Sequence, residues 1–290
     1  MPAAQHITPE LQRWITLQAA AGLAPESLLQ AMRDSGWSAQ VAQQALDDTV
    51  RGRRVEPVQG HGLLPQVPEP LSADGSLLHG VDVQHSTADA ACDVHVLASL
   101  SNPRIVVFGG LLSDAECDDL MALAAARLAR SETVASRSGD GEVSASRTSE
   151  GMFFEREENP LCARIEQRIA ALLAWPLENG EGLQVLRYRT NAEYQPHYDY
   201  FDPEQPGTAA VLARGGQRVA SLVMYLNPPT RGGATVFPYA HFSVAPIKGN
   251  AVFFSYDRPH PTTRTLHGGA PVQEGEKWVA TKWLRERRFD

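Results

Sequence analysis

A histidine and an aspartate stand two residues apart in the sequence, at His197 and Asp199. Because residues i and i+2 of a β-strand project from one face, an extended segment here brings both side chains to one point. Two histidines and one carboxylate form the facial triad of non-haem Fe(II) oxygenases, which leaves coordination positions open for reactants. The pair therefore supplies two of the three ligands of a candidate iron site.

The third ligand has to come from a different strand, and three downstream histidines are candidates. His260 lies between two prolines in an expected loop, and His241 follows a Pro-Tyr-Ala segment and is expected to face solvent. His267 begins a stretch that reaches Lys277 ten residues later. Residue spacing alone leaves all three histidines open.

Lys277 is a further candidate site residue, because it stands in an apolar stretch and is followed by Trp278 and Val279. A buried ammonium group is costly unless an anion pairs with it. An Fe(II) oxygenase that consumes 2-oxoglutarate needs such a cation to form a charge-assisted pair with the far carboxylate of that co-substrate. In strand periodicity, Trp283 shares the side of Lys277, and Trp278 faces the other way.

Four sequence segments occur in an order that resembles the catalytic domain of the prolyl 4-hydroxylases. They are LRYRTNAEYQPHYD, MYLN, GGATVFP and LHGGAPVQEGEKW, at residues 186–199, 224–227, 232–238 and 266–278. The resemblance covers about residues 100 to 290. It implies an Fe(II)/2-oxoglutarate dioxygenase with a double-stranded β-helix fold, a form of jelly roll.

The resemblance also implies roles for individual residues. The implied iron ligands and catalytic residues are His197, Asp199 and His267. The residues implied to hold 2-oxoglutarate are Lys277, Tyr188, Thr235 and Tyr225, with core packing equally open for Tyr225. The candidate substrate contacts are Arg147, Tyr194 and Trp283. A structural role is the alternative for Arg147, and core packing is the alternative for Trp283. The implied cofactor set is Fe(II), 2-oxoglutarate and O2, with ascorbate as a further candidate.

The implied reaction is hydroxylation of an unactivated C–H bond, and the expected substrate is a proline residue in a peptide or protein. One alternative is a 2-oxoglutarate hydroxylase of a free amino acid or another small molecule, since its catalytic core would have the same sequence pattern. Another alternative is a non-catalytic binding protein that recruits a partner through its N-terminal helices. The complete ligand set argues against this second alternative.

Short strand candidates separated by turn signals predict an all-β core after residue 100. They cover residues 104–108, 183–189, 219–226, 234–237, 250–255 and 277–284. Two amphipathic helices, one capped by Ser113 and one near residues 160–175, are expected to cover one sheet. The predicted fold class is therefore α+β, with a jelly-roll core and flanking helices.

Three short amphipathic helices are predicted in residues 1–50, where Pro9, Pro25 and Ser38 mark the starts. Their size and the Ser-Gly-Trp turn are similar to a ubiquitin-associated-type fold. Three roles remain open for these helices, which are a structural cap, a dimerisation element and a peptide-binding module. Residues 51–95 are rich in proline and glycine and predict a linker or irregular segment. The dioxygenase domain is expected at residues 96–290.

The composition is that of an ordinary globular chain of 290 residues, with 43% hydrophobic and 21% charged residues. Its 26 basic and 34 acidic residues give a net charge of −8, which disfavours binding to nucleic acid. No apolar run approaches the ~20 residues of a membrane span, and no secretory signal is visible. The three widely spaced cysteines disfavour a disulfide framework or a zinc-finger site, so a cytoplasmic location is expected.

Overall fold

The structure is a computed structural model that describes residues 7, 9–20, 23–50, 64–65, 94–130, 132–134, 141–143 and 148–290. The chain divides into two compact units, residues 1–62 and 63–290. Most of the expected linker at residues 51–95 lies outside the described residues, as does Cys92. Cys117 and Cys162 are buried free thiols.

The first unit contains the three predicted helices, Pro9–Ala20 (α1), Pro25–Asp34 (α2) and Ala39–Val50 (α3). Pro25 stands in the first turn of α2, where its missing N–H costs no hydrogen bond. The chain reverses after α2 at Gly36, whose φ of 91° is accessible to glycine without strain. A small core joins the three helices, formed by Leu11, Ile15, Leu28, Met32, Ala42, Ala45 and Leu46.

The second unit is built on an eight-stranded sheet whose paired neighbours are all antiparallel. Its strands, in spatial order, are His95–Ser101 (β1), Arg104–Gly109 (β2), Ala251–Ser255 (β13), Arg218–Asn227 (β9), Lys277–Arg285 (β16), Leu183–Tyr188 (β7), Glu150–Phe154 (β6) and Ala129–Arg130 (β3). The strands predicted from residue patterns in this sheet are confirmed to within two residues at their ends.

A four-stranded sheet lies in the same unit. In spatial order its strands are Phe242–Val244 (β12), Thr235–Phe237 (β11), His267–Gly269 (β14) and Tyr194–His197 (β8). Two small strand pairs complete the sheets, Glu132–Val134 (β4) with Gly141–Val143 (β5) and Arg231–Gly232 (β10) with Val272–Glu274 (β15). The two larger sheets form the core of the predicted jelly roll.

Two helices cover one face of the large sheet, as the sequence predicts. Helix α4 (Asp114–Ala125) begins at Ser113, whose hydroxyl accepts from the Glu116 N–H in a complete capping box. Helix α5 (Pro160–Leu173) is capped by Asn159 and ends at Leu173, two residues earlier than expected, because Ala174 adopts a left-handed conformation. Apolar residues of both helices and of the sheet form one large core cluster.

A second apolar cluster lies on the other face of the large sheet and extends to the small one. Its members include Leu186, Tyr188, Tyr225, Phe237 and Phe254. The remaining elements of the described residues are a short helix, Thr208–Ala213 (α6), and three single-turn 3-10 helices at Leu177–Asn179, Pro238–Ala240 and Pro261–Thr263. Within the described residues, the structure has no helix that is both long and apolar enough to cross a membrane.

Candidate active site

His197, Asp199 and His267 meet at one point, because strands β8 and β14 pair with His267 directly opposite His197. One potential ligand atom from each residue lies within 4.8 Å of the others. The Asp199 carboxylate stands between the rings, 3.4 Å from His197 Nε2 and 3.5 Å from His267 Nε2. In the part of the chain that the structure describes, this is the only group of three such residues that could hold a metal ion.

Asp199 reaches this point by a different route from the one expected. Strand β8 ends at His197, so Asp199 stands in the bend that follows rather than on the strand. The convergence of the two side chains therefore depends on the turn of the backbone as well as on strand alternation. Asp199 is nonetheless buried, with 7% of its surface exposed.

Both histidines present Nε2 to the cluster and use Nδ1 elsewhere. His197 Nδ1 lies 3.0 Å from the Gln195 carbonyl oxygen, and His267 Nδ1 lies 3.0 Å from the Thr265 carbonyl oxygen. A carbonyl oxygen only accepts, so Nδ1 carries the proton and the Nε2 lone pair is left for a metal. The same local arrangement, a carbonyl two residues before each histidine, sets both rings.

The charges at the cluster suit metal binding. Burial opposes ionisation of the Asp199 carboxyl, but His267, His197 and Arg218 hold its pKa below the usual range. Burial lowers the pKa of His267 to about 4, although Asp199 opposes that shift. A metal ion needs an ionised carboxylate and neutral imidazoles, and the pKa shifts of Asp199 and His267 favour these forms near neutral pH.

Lys277 lies in the same cavity as the cluster and is 3% exposed. Its Nζ donates to the Gly233 carbonyl oxygen at 2.9 Å and lies 4.7 Å from the centre of the Tyr188 ring. Burial lowers the pKa of Lys277 to about 8. Among the described residues, no carboxylate pairs with this ammonium group, so the cavity contains a buried cation that lacks an anion.

The other residues expected to hold 2-oxoglutarate fall into two groups. Tyr188 and Thr235 line the cavity. Tyr225 does not line it, because it is fully buried behind Thr235 and donates its phenolic proton to Thr235 Oγ1 at 2.8 Å. This hydrogen bond leaves the Thr235 hydroxyl proton free to point toward a ligand.

Two of the three residues expected to contact the substrate line the same cavity. The Tyr194 ring stacks on His197 at 3.7 Å between centroids. Trp283 lines the cavity as well, and its Nε1 is buried without a hydrogen-bond partner among the described residues. Trp278 packs in the core on the opposite face, as its strand position predicts. Arg147 lies outside the described residues, although Thr148 beside it bonds to Glu193.

The two other candidate histidines lie away from the cluster. His241 is exposed and follows the 3-10 turn at Pro238–Ala240 in a left-handed conformation. His260 uses Nδ1 at the start of the turn at Pro261–Thr263, where it lies 2.9 Å from Thr262 Oγ1. The pairing of β14 with β8 thus makes His267 the third candidate ligand, and not His241 or His260.

Ser221 is a site residue that the sequence did not reveal. Its hydroxyl lies 2.6 Å from Asp199 Oδ2, yet the two residues are 22 positions apart and Ser221 lies in the middle of strand β9. A serine inside an apolar strand carries no local signal of such a contact. The contact arises where the bend after β8 lies against strand β9 of the large sheet.

The chain is similar to known oxygenases in sequence. It matches the model of the 2OG-Fe(II) oxygenase superfamily over residues 183–285. It is 40% identical over 213 residues to "Prolyl 4-hydroxylase 2" of Arabidopsis thaliana. The aligned region covers 66% of this chain and 70% of the relative. It is 43% identical over 204 residues to "Prolyl 4-hydroxylase 1" of the same plant, and that aligned region covers 64% of this chain and 70% of the relative.

A solved structure is also similar, that of the viral collagen prolyl hydroxylase from Paramecium Bursaria Chlorella virus-1 in a 2OG complex. The two chains are 31% identical, with a TM-score of 0.48. The match covers 62% of this chain and 95% of the viral one.

Proposed function

The chain belongs to the prolyl 4-hydroxylase-like 2OG-Fe(II) oxygenases, and we propose that it hydroxylates proline residues in a peptide or protein substrate. The observation that carries this proposal is one cavity in which the cluster of His197, Asp199 and His267 stands beside Lys277, an ammonium group that pairs with no carboxylate of the described residues. A metal site next to a buried cation suits a co-substrate that carries two acidic groups, as 2-oxoglutarate does.

The donor set of the cluster fits Fe(II). Two imidazole nitrogens and one carboxylate are the ligands of the facial triad, and each histidine has its tautomer set by a backbone carbonyl. When bound, Fe(II) with 2-oxoglutarate and O2 supplies the oxidising power for C–H hydroxylation, with succinate and CO2 as co-products. The role of His197, Asp199 and His267 is to hold the ion and leave its other positions to the reactants.

The surroundings of Lys277 fit the far carboxylate of 2-oxoglutarate. Its ammonium group is desolvated, and the Thr235 hydroxyl lies in the same cavity with a proton to donate. Gly269 borders Lys277 in the cavity, and a Cβ added to it would stand 3.4 Å from Lys277 Nζ. Glycine at this position leaves room beside the ammonium group, and we assign that space to the carboxylate.

Tyr194 and Trp283 are the candidate contacts for the substrate. Tyr194 covers one face of His197, and Trp283 lines the same cavity with a buried Nε1 that has no hydrogen-bond partner among the described residues. A buried N–H is costly when it lacks an acceptor, and a backbone carbonyl of a peptide would satisfy it. The Arg218 guanidinium lies 3.8 Å from the centre of the Trp283 ring and holds it in place.

The direct test uses a panel of synthetic peptides with and without proline, supplied with Fe(II), 2-oxoglutarate and O2. We expect succinate formation and a gain of one oxygen, ~16 Da, on the intact proline peptides. His197→Ala and Asp199→Ala are expected to abolish both signals. His241→Asn is the matched control, because it alters an exposed histidine outside the cavity and asparagine tolerates its left-handed backbone.

The outcomes separate the candidate reactions. Oxygen gain on proline peptides that depends on Asp199 supports the proposal. Succinate formation that depends on Asp199, with modification of a small molecule and of no peptide, would favour the small-molecule alternative. Undiminished turnover in both alanine variants would contradict the metal site itself.

A further inference from the structure

A buried chain of two hydroxyl groups leads from the Asp199 carboxylate into the protein. Ser221 Oγ lies 2.6 Å from Asp199 Oδ2, and the Tyr256 phenolic oxygen lies 3.0 Å from Ser221 Oγ. Ser221 is 0% exposed and Tyr256 is 1% exposed. We propose that Ser221 and Tyr256 are positioning residues that fix the orientation of the Asp199 carboxylate for metal binding.

The directions of the two hydrogen bonds follow from the chemistry of the groups. An ionised carboxylate only accepts, so the single proton of Ser221 points to Asp199 Oδ2. The Ser221 oxygen then has only lone pairs to offer, and Tyr256 has to donate to it. The result is a one-way chain in which Tyr256 sets the rotamer of Ser221 and Ser221 sets the carboxylate.

The carboxylate needs such a restraint. The terminal torsion of an aspartate is broad and roughly two-fold, so the side chain alone does not select one orientation. Within the described residues, Ser221 is the one neutral donor to either carboxylate oxygen of Asp199. Arg218 bonds to the Asp199 backbone carbonyl at 3.4 Å, and its Nε lies 2.7 Å from Glu181 Oε1. The nearby arginine therefore restrains the backbone and leaves the carboxylate to Ser221.

The two hydroxyl groups are themselves held by the sheet and its aromatic side chains. Ser221 stands on strand β9 between Phe254 on one neighbouring strand and Trp283 on the other. The Tyr256 ring meets the edge of Tyr200 at 6.0 Å between centroids. Because both side chains are almost fully buried, loss of either hydroxyl leaves a buried polar group with one hydrogen bond fewer.

This inference rests on the proposed metal site and adds which groups orient its carboxylate ligand. Groups that orient a metal ligand through a hydrogen bond change metal affinity by about 10- to 100-fold when they are removed. The variants that test the chain are Ser221→Ala, which removes both bonds, and Tyr256→Phe, which removes one. Ser221→Thr keeps the hydroxyl and tests rescue. Ser255→Ala is the matched control, because its buried hydroxyl pairs with Arg104 instead.

The experiment measures binding of Co(II) to the full chain by its visible absorption, and binding of Fe(II) without O2 by competition. We expect Ser221→Ala to weaken binding of both ions about 10- to 100-fold and to shift the Co(II) spectrum. Tyr256→Phe should weaken binding in the same direction by less, and Ser221→Thr should stay within about threefold of the unaltered chain. Ser255→Ala should bind as the unaltered chain does.

A double variant distinguishes positioning from mere loss of stability. If the two hydroxyls act in series, Ser221→Ala combined with Tyr256→Phe loses no more metal affinity than Ser221→Ala alone. Additive losses, or equal affinities for Ser221→Ala and the unaltered chain, would overturn the inference. Failure of the unaltered chain to bind either ion would contradict the proposed metal site, which is a separate result.

Discussion

The affinity for 2-oxoglutarate should depend on pH through Lys277. Burial lowers the pKa of this lysine from 10.5 to about 8 in the protein without co-substrate, which costs about 3 kcal/mol at neutral pH. Lys277 is charged below this pKa and neutral above it. Because the far carboxylate of 2-oxoglutarate pairs with the charged form, binding above pH 8 requires uptake of a proton and becomes weaker as pH rises.

The expected change of the Kd with pH follows from the fraction of Lys277 that is protonated. Relative to pH 6, the Kd for 2-oxoglutarate should rise about twofold at pH 8 and about elevenfold at pH 9. An elevenfold change corresponds to about 1.4 kcal/mol. Between pH 6 and 7 the Kd should change little.

Titration calorimetry with the Fe(II) protein in the absence of O2 measures this dependence. A 2-oxo acid without the far carboxylate, such as 2-oxobutanoate, is the control for effects of pH on the metal. The ratio of the two dissociation constants isolates Lys277. In Lys277→Arg, the guanidinium stays charged over this range, so the ratio should no longer change with pH.

Two results would refute this role of Lys277. A constant ratio between pH 7 and pH 9.5 in the unaltered chain would show that Lys277 does not pair with the far carboxylate. An unchanged pH dependence in Lys277→Arg would show that another group titrates.

Other predictions concern stability and the division of the chain. Lys282 and Glu166 form an ion pair that is almost fully buried, so Glu166→Ala should lower the free energy of unfolding in urea by about 3–5 kcal/mol. Glu166→Leu combined with Lys282→Met should cost less, and an equal cost would refute the ion-pair explanation. Deletion of residues 1–62 should leave 2-oxoglutarate turnover intact, whereas aggregation of the remainder would show that the two units share one core. A longer deletion that also removes Leu64 and Val94 should lower the urea midpoint, because both pack against the core of the second unit.

Local patterns in the sequence predicted much of the fold. The cap at Ser113 and the apolar stripe after it are short-range signals, and both appear in the structure as helix α4. Alternation along strand β16 correctly assigned Lys277 and Trp283 to one face and Trp278 to the other. These predictions succeed because backbone geometry alone sets which face a residue occupies.

The sequence by itself determined the types of residue available for chemistry, and the tertiary structure decided which of them meet. His241, His260 and His267 have the same chemistry, and only the pairing of β14 with β8 brings one of them opposite His197. The register of strands about 70 residues apart depends on which faces become buried together, and no local pattern encodes it. The contact of Ser221 with Asp199 likewise depends on how separate parts of the chain pack together, so the local sequence did not reveal it. For the same reason, only the tertiary structure shows that Lys277 has no carboxylate partner among the described residues.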